Sequence, residues 1–273
     1  MDKDTIKRLI IEYQQFVANI TLIEREIHLS HQLNYVFVGL RRAGKSYLMY
    51  QQIQSLLNDG HQPEEILYFN FEDDRLVNLT VEDLDLIKVS YEELYPHKPI
   101  FFLDEIQIVE HWEKFARRLA DQQYRVYITG SNAKMLSAEI ATTLGGRYIV
   151  QNVYPFSFSE FLKASKIEIG PTWYYKNRTE IVRTFSDYFS YGGLPELMLI
   201  ETIEKRQWLS NLFNKIFFGD LITRYSIRND LAMKVLIRKL AESVKQPSSF
   251  NRLTNIVSTT GAKVSTDTII DYL

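Results

Sequence analysis

The sequence contains no cysteine. That excludes disulfides, thiolate metal sites and cysteine nucleophiles together, and it fits a reducing compartment. No apolar run approaches the roughly eighteen residues a membrane span needs. The longest bursts, such as Ile100–Leu103, have the length of a strand. The N-terminal stretch from Met1 to Phe16 is charged and helix-like, without the apolar core of a signal peptide, so a soluble, cytoplasmic chain is expected. A formal net charge of -2 gives no global pull toward nucleic acid or anionic lipid. The five histidines stand singly, with no pair at metal-ligand spacing, so no zinc site is expected. No serine–histidine–acid arrangement can be argued from the order of residues, and there is neither a fixed-period repeat nor a low-complexity tract.

What is present is ordinary globular material: 45% hydrophobic and 24% charged residues over 273 positions, long for one core and comfortable for two or three. One stretch departs from the ordinary. The apolar run Tyr35–Val38 leads directly into Gly39, Leu40, Arg41, Arg42, Ala43, Gly44, Lys45 and Ser46, after which Tyr47 opens a helical pattern with Leu48, Met49, Ile53, Leu56 and Leu57 on one face. This is G-x-x-x-x-G-K-[ST], the Walker A phosphate loop, in its strand-to-helix context. Glycines let backbone N–H groups turn inward as a nest for phosphate oxygens, and the positive end of the following helix faces the same spot. Lys45 would reach the β- and γ-phosphates and Ser46 would ligate Mg²⁺. The helix is expected to stop at Asn58-Asp59-Gly60, where glycine supplies a left-handed cap.

A site of this kind needs an acid on a neighbouring strand. Ile100–Leu103 reads as a strand buried on both faces. Asp104, at its C-terminal end, stands where open α/β sheets bind ligands, placed to hold the metal, with Glu105 next to it to orient and polarise water. Further strands are expected at Ile66–Phe71, at Arg125–Thr129 before Gly130, Ser131 and Asn132, and after Arg147. A helix is expected from Trp112 to Gln122. Strands alternating with helices argue a three-layer α/β/α parallel sheet of about five strands.

These stretches, in this order, resemble the AAA+ branch of phosphate-loop ATPases. LRRAGKS, FFLDEIQ, YITGSNAKML, YPFSFSEF and YGGLPE are similar, more narrowly, to a prokaryotic group with a winged-helix segment and often a nuclease-like C-terminal domain. The resemblance implies Mg²⁺-dependent ATP hydrolysis coupled to conformational change and remodelling of a protein partner, with ATP and ADP as ligands. It makes Ser131 or Asn132 the polar sensor near the γ-phosphate. It makes Arg147 either an arginine finger for a neighbouring copy in a homo-oligomer or a cation at a helix end. It makes Pro195 either a contact to adenine or a helix-initiating proline. Arg224 and Arg228 are either lid cations or a solvated basic face.

The implied division is residues 1–155 for the nucleotide-binding domain, 156–229 for a helical lid and 230–273 for an incomplete winged-helix segment. Ser157 and Glu160 form a capping-box pattern, with Phe156 and Phe161 placed as a hydrophobic staple. Leu231 to Lys245, with Val235, Leu236 and Leu240 inward, reads as a helix. A second apolar stripe on Phe250, Leu253, Ile256 and Val257 follows, and a third helix runs from Ser265 to Leu273. No wing hairpin or nuclease-like domain is expected within this sequence. The third helix offers Ser265, Thr266, Asp267 and Asp271, a poor set for a phosphate backbone, so packing is favoured over DNA reading. The alternative function is a nucleotide-gated DNA-binding regulator. A kinase is a third class, disfavoured by the Asp104-Glu105 pair.

Overall fold

The computed structural model describes residues 2–76, 79–131, 142–167, 170, 172–223, 225–244, 246–261 and 264–273. They form two compact units, Met1–Glu201 and Thr202–Leu273.

Five strands make the sheet of the first unit: β1 (Asn34–Gly39), β2 (Ile66–Asn70), β3 (Ile100–Asp104), β4 (Arg125–Ser131) and β5 (Tyr148–Asn152). All pairings are parallel and the spatial order is β2-β3-β4-β1-β5. The chain leaves β1 for the far edge and returns through β3 to β4. The strand carrying the glycine–lysine loop and the strand ending in Asp104 thus flank β4. β4 is two residues longer than the apolar pattern suggests, because Gly130 and Ser131 pair with Val38 and Gly39 at the end of β1.

Register sorts the side chains. Tyr68, Phe102, Tyr127 and Tyr35 form one row across four strands, with Phe102 and Tyr127 stacked at 4.6 Å and Tyr127 and Tyr35 at 6.0 Å. Helix α2 (Lys45–Asn58) covers this face, its Tyr50 ring edge-on to Tyr68. On the other face Phe101 meets Phe115 of α4 (Trp112–Asp121). Helix α1 (Lys3–Asn19), capped by Asp2, packs on β2, on α2 and on α3 (Val81–Leu94). Helix α2 ends as expected: Gly60 is left-handed, and the amides of Gly60 and His61 bond back to Leu57 and Leu56.

Beyond β5, α5 (Phe158–Ala164) begins with both reciprocal bonds of the Ser157–Glu160 capping box, and Phe156 and Phe161 are buried beside it. Helix α6 (Arg178–Tyr191) leads to Gly192, and Pro195 opens a short 3₁₀ turn, Pro195–Leu199.

In the second unit, α7 (Thr202–Asn214) runs into π-helical turns over Lys215–Thr223. Three helices, α8 (Asp230–Glu242), α9 (Phe250–Ser258) and α10 (Thr266–Tyr272), then enclose a small core of Ala232, Leu236, Leu253, Val257 and Ile269. Ser249 and Ser265 cap α9 and α10 by accepting amide bonds. Leu240, expected inward, is exposed instead, and Ala232 and Met233 take the buried face with Leu236. Helix α8 ends at Glu242, and Lys245 lies outside the described residues. Among the described residues no helix is long and apolar enough to cross a membrane.

Candidate active site

The C-terminal ends of β1, β3 and β4 bring together residues far apart in sequence. Gly44, at the start of α2, is left-handed at φ +95°, the conformation that favours glycine. Gly39 is needed for a different reason: a Cβ there would stand 2.1 Å from the carbonyl oxygen of Val153, which follows β5. Arg42 is also left-handed, at φ +64°, a conformation that costs a non-glycine side chain about 1 kcal/mol or more.

Lys45 is buried, and its ammonium donates to the carbonyls of Gly39 and Leu40, each at 3.3 Å. It stands 3.8 Å from Oε1 of Glu105. Burial pushes its affinity for a proton below the ordinary lysine range, against the pull of Glu105 and Asp104. A lysine so placed gains by meeting additional negative charge.

Asp104, the last residue of β3, is almost fully buried. Three hydroxyls donate to it: Ser46 at 3.1 Å, Tyr68 at 2.8 Å, and Thr129. Burial still pushes the carboxyl above its ordinary range. The Tyr68 hydroxyl is raised in turn, by its own burial and then by the Asp104 charge. Tyr50 continues the chain, its hydroxyl 3.0 Å from that of Tyr68. Ser46 and Asp104 are hard oxygen donors side by side, the set that suits Mg²⁺. A buried carboxylate with a raised pKa is also stabilised by any cation brought to it.

Glu105 leaves the strand through a left-handed turn at φ +56°. Its amide donates to Oγ1 of Thr129 at 2.9 Å, and Gln107 holds its carboxylate at 2.5 Å. The turn faces Glu105 toward Lys45 instead of letting it continue the pleat. Thr129 therefore supports both acids at once. Its signal in the sequence is slight: a polar residue alternating with Tyr127 in the strand beside Asp104.

The other expected residues are placed as follows. Ser131 closes β4 opposite Gly39, and Asn132 lies outside the described residues. Ala43 is fully buried, while Leu40 and Tyr47 are about half exposed. Arg41 is 3.6 Å from Glu72. Arg42 pairs with Glu196, and Pro195 lies close to Gly44, so the Gly192–Glu196 stretch meets the phosphate loop.

Arg147 lies elsewhere. It immediately precedes β5, whose Tyr148 pairs with Asn34 at the start of β1, so it sits at the opposite end of the sheet, roughly 16 Å away by strand rise. Its Nε donates to Asp121, the last residue of α4, at 2.5 Å. It does not reach the site of its own chain. Arg228 is exposed and Arg224 lies outside the described residues.

One arrangement not legible in the order of residues carries no chemistry. His31 does stand between a serine and an acid, Nδ1 3.0 Å from Asp59 and Nε2 3.4 Å from Ser55. Ser55 lies inside α2, whose amides are committed to the helix, so the array offers nothing to hold an oxyanion. Also unforeseen is Arg25, buried against the outer side of the loop. No local signal marks it, because its partner Glu160 is 135 residues away.

A parallel sheet with a phosphate loop after β1 and paired acids after β3 defines the phosphate-loop α/β class. Residues 31–162, the stretch that carries all five strands and the glycine–lysine loop, match the model of the AAA domain family. It is 33% identical over 275 aligned residues to Uncharacterized protein MJ1544 of Methanocaldococcus jannaschii, covering 99% of this chain and 61% of that one. It is also 33% identical to an uncharacterized protein of Haemophilus influenzae, covering 92% of this chain and 64% of the relative. The chain thus spans a little over three-fifths of the length of these relatives. Among solved structures, the Orc1 protein of Aeropyrum pernix in complex with DNA aligns over 99% of this chain and 81% of its own, at 14% identity and a TM-score of 0.36. A score that low adds nothing to what the strand order already defines.

Proposed function

We propose that this chain binds ATP with Mg²⁺ and hydrolyses it, transmitting the nucleotide state to a protein partner. The observation that carries the reading is the convergence of Lys45, Ser46, Asp104 and Glu105 at one end of the sheet, with Glu105 turned toward Lys45. Loop amides and the α2 N-terminus would cradle the β-phosphate. Lys45 would exchange the carbonyls of Gly39 and Leu40 for phosphate oxygens. Ser46 and Asp104 would hold Mg²⁺, which when bound neutralises charge across the phosphates. Glu105 would orient the attacking water and take its proton, and the base being an enzyme acid beside water favours hydrolysis over transfer to a second substrate. Ser131, Asn132, Tyr47 and Pro195 remain proposed nucleotide contacts. The links of Arg42 to Glu196 and of Pro195 to Gly44 support coupling, since a loop that reshapes around phosphate takes the Gly192–Glu196 stretch with it.

For Arg147, the pair with Asp121 supports the intrachain alternative over a finger reaching another copy. The DNA-binding alternative is weakened by Asp267 and Asp271, both exposed on α10. Calorimetric titration of ATP with Mg²⁺, beside a fluorescence-anisotropy titration of duplex DNA, tests the reading. Saturable ATP binding is expected, with duplex affinity no better than the non-specific range of roughly 10⁻⁴ to 10⁻⁶ M at physiological salt. Nanomolar, sequence-selective duplex binding would promote the regulator, and absence of ATP binding would reject the nucleotide site.

A further inference from the structure

We infer that Arg25 is a positioning residue for the phosphate loop, fixing the peptide between Ala43 and Gly44 so that its N–H faces the bound phosphates. The inference rests on the nucleotide-binding reading above and adds a residue outside the loop motif.

Arg25 lies between α1 and β1, with its side chain 5% exposed, as is that of Glu160. Its guanidinium uses three arms on three parts of the chain. Nε donates to Oε1 of Glu160 at 2.8 Å, Nη2 to the carbonyl of Tyr154 at 2.8 Å, and Nη1 to the carbonyl of Ala43 at 3.0 Å. The cation also lies over the Phe156 ring, 5.0 Å from its centroid. Glu160 in turn accepts from the amides of Glu26 at 2.9 Å and Ser157 at 2.8 Å. Burial raises the Glu160 carboxyl, but Arg25 and these amides outweigh it and hold the group below its ordinary range. The pair is therefore ionised.

Stability alone gives little reason for this arrangement. A buried ion pair is often no better for folding than apolar residues of similar volume. The start of α5 is already capped by Ser157 and Glu160 without help. What the arginine adds is its third arm, which ends on the phosphate loop. In a trans peptide the C=O and the following N–H point in opposite directions. Holding the Ala43 carbonyl on the outer side thus turns the Gly44 N–H to the inner side. A cation on the carbonyl also polarises that peptide and strengthens the N–H as a donor. Nη1 would stand 3.3 Å from a Cβ built on left-handed Gly44, so the arginine packs directly behind the turn that begins α2.

The test separates positioning from mere packing. Arg25→Met with Glu160→Gln removes both charges, keeps similar volume, and leaves a side-chain oxygen for the Ser157 or Glu26 amide. This variant leaves the carbonyls of Ala43 and Tyr154 without the arginine, so some loss of stability is expected. On protein shown to be folded, the calorimetric dissociation constant for ADP is expected to rise about tenfold, as for one lost charge-assisted bond. Wild-type ADP affinity in the folded double variant would overturn the inference. Arg25→Lys keeps the charge but lacks the planar fork that spans Glu160 and Ala43 together. Weakening of ADP by at least about threefold is expected for it, and unchanged affinity overturns the assignment even if the double variant does not fold. Failure of the wild type itself to bind ADP would instead reject the nucleotide reading.

Discussion

The phosphate-loop end of the sheet and the three-helix cluster of residues 230–273 bury different kinds of side chain. The first encloses Arg25, Lys45, Asp104, Thr129 and Glu160, each held by named partners. The second closes on Ala232, Leu236, Leu253, Val257 and Ile269, all apolar, and keeps Asp267 and Asp271 in solvent. Burying charge costs free energy unless it is paired. Polar and ionisable groups gathered at one sheet end support the proposal that a charged ligand binds there, whereas the core of the cluster is apolar.

Substitutions on the two sides should therefore fail in different ways. Lys45→Ala has the largest expected effect. It removes the buried ammonium at the proposed phosphate site and should weaken ATP by roughly 100-fold, from charge-assisted bonds of about 1.5–3 kcal/mol, with turnover lost; titration calorimetry reads this directly. The mirror experiment is Leu236→Ala in the cluster, which should lower stability by about 2–5 kcal/mol in denaturant unfolding while ATP affinity stays at wild type.

Smaller is Thr129→Val, which conserves shape but strands the Glu105 amide and takes one donor from Asp104. A loss of about 1–3 kcal/mol in stability is expected, together with slower turnover, because both acids lose their support. Smallest is Arg147→Ala. Its pair with Asp121 is partly exposed, with side chains 34% and 49% accessible, so about 0–1 kcal/mol is expected, with ATP binding and turnover little changed. Loss of turnover that returns on mixing with Lys45→Ala protein would instead make it a finger acting on another copy.

Features encoded locally were the legible ones. The phosphate loop, the acid at the end of β3, the Gly60 cap and the Ser157–Glu160 box each depend on residues within a few positions, and each is found where the pattern puts it. Arg25 was invisible because its meaning comes from Ala43, Tyr154 and Glu160, which only the folded chain assembles. Thr129 was half visible, since alternation in β4 placed it on a face but not which strand lay beside it. Leu240 misled because helical period alone does not say how wide the buried stripe is; a small core takes a narrow one, and Leu236 with Ala232 and Met233 fills it.

The central claim is that water, prepared by Glu105, attacks a nucleotide held at this sheet end. It is tested most directly by phosphate release from ATP with Mg²⁺ and no added acceptor, comparing wild type with Glu105→Gln after both are shown to bind ATP. The account predicts steady release from wild type and a fall of about 10²- to 10⁴-fold in the variant, the usual contribution of a general base. Wild-type turnover by Glu105→Gln would contradict it.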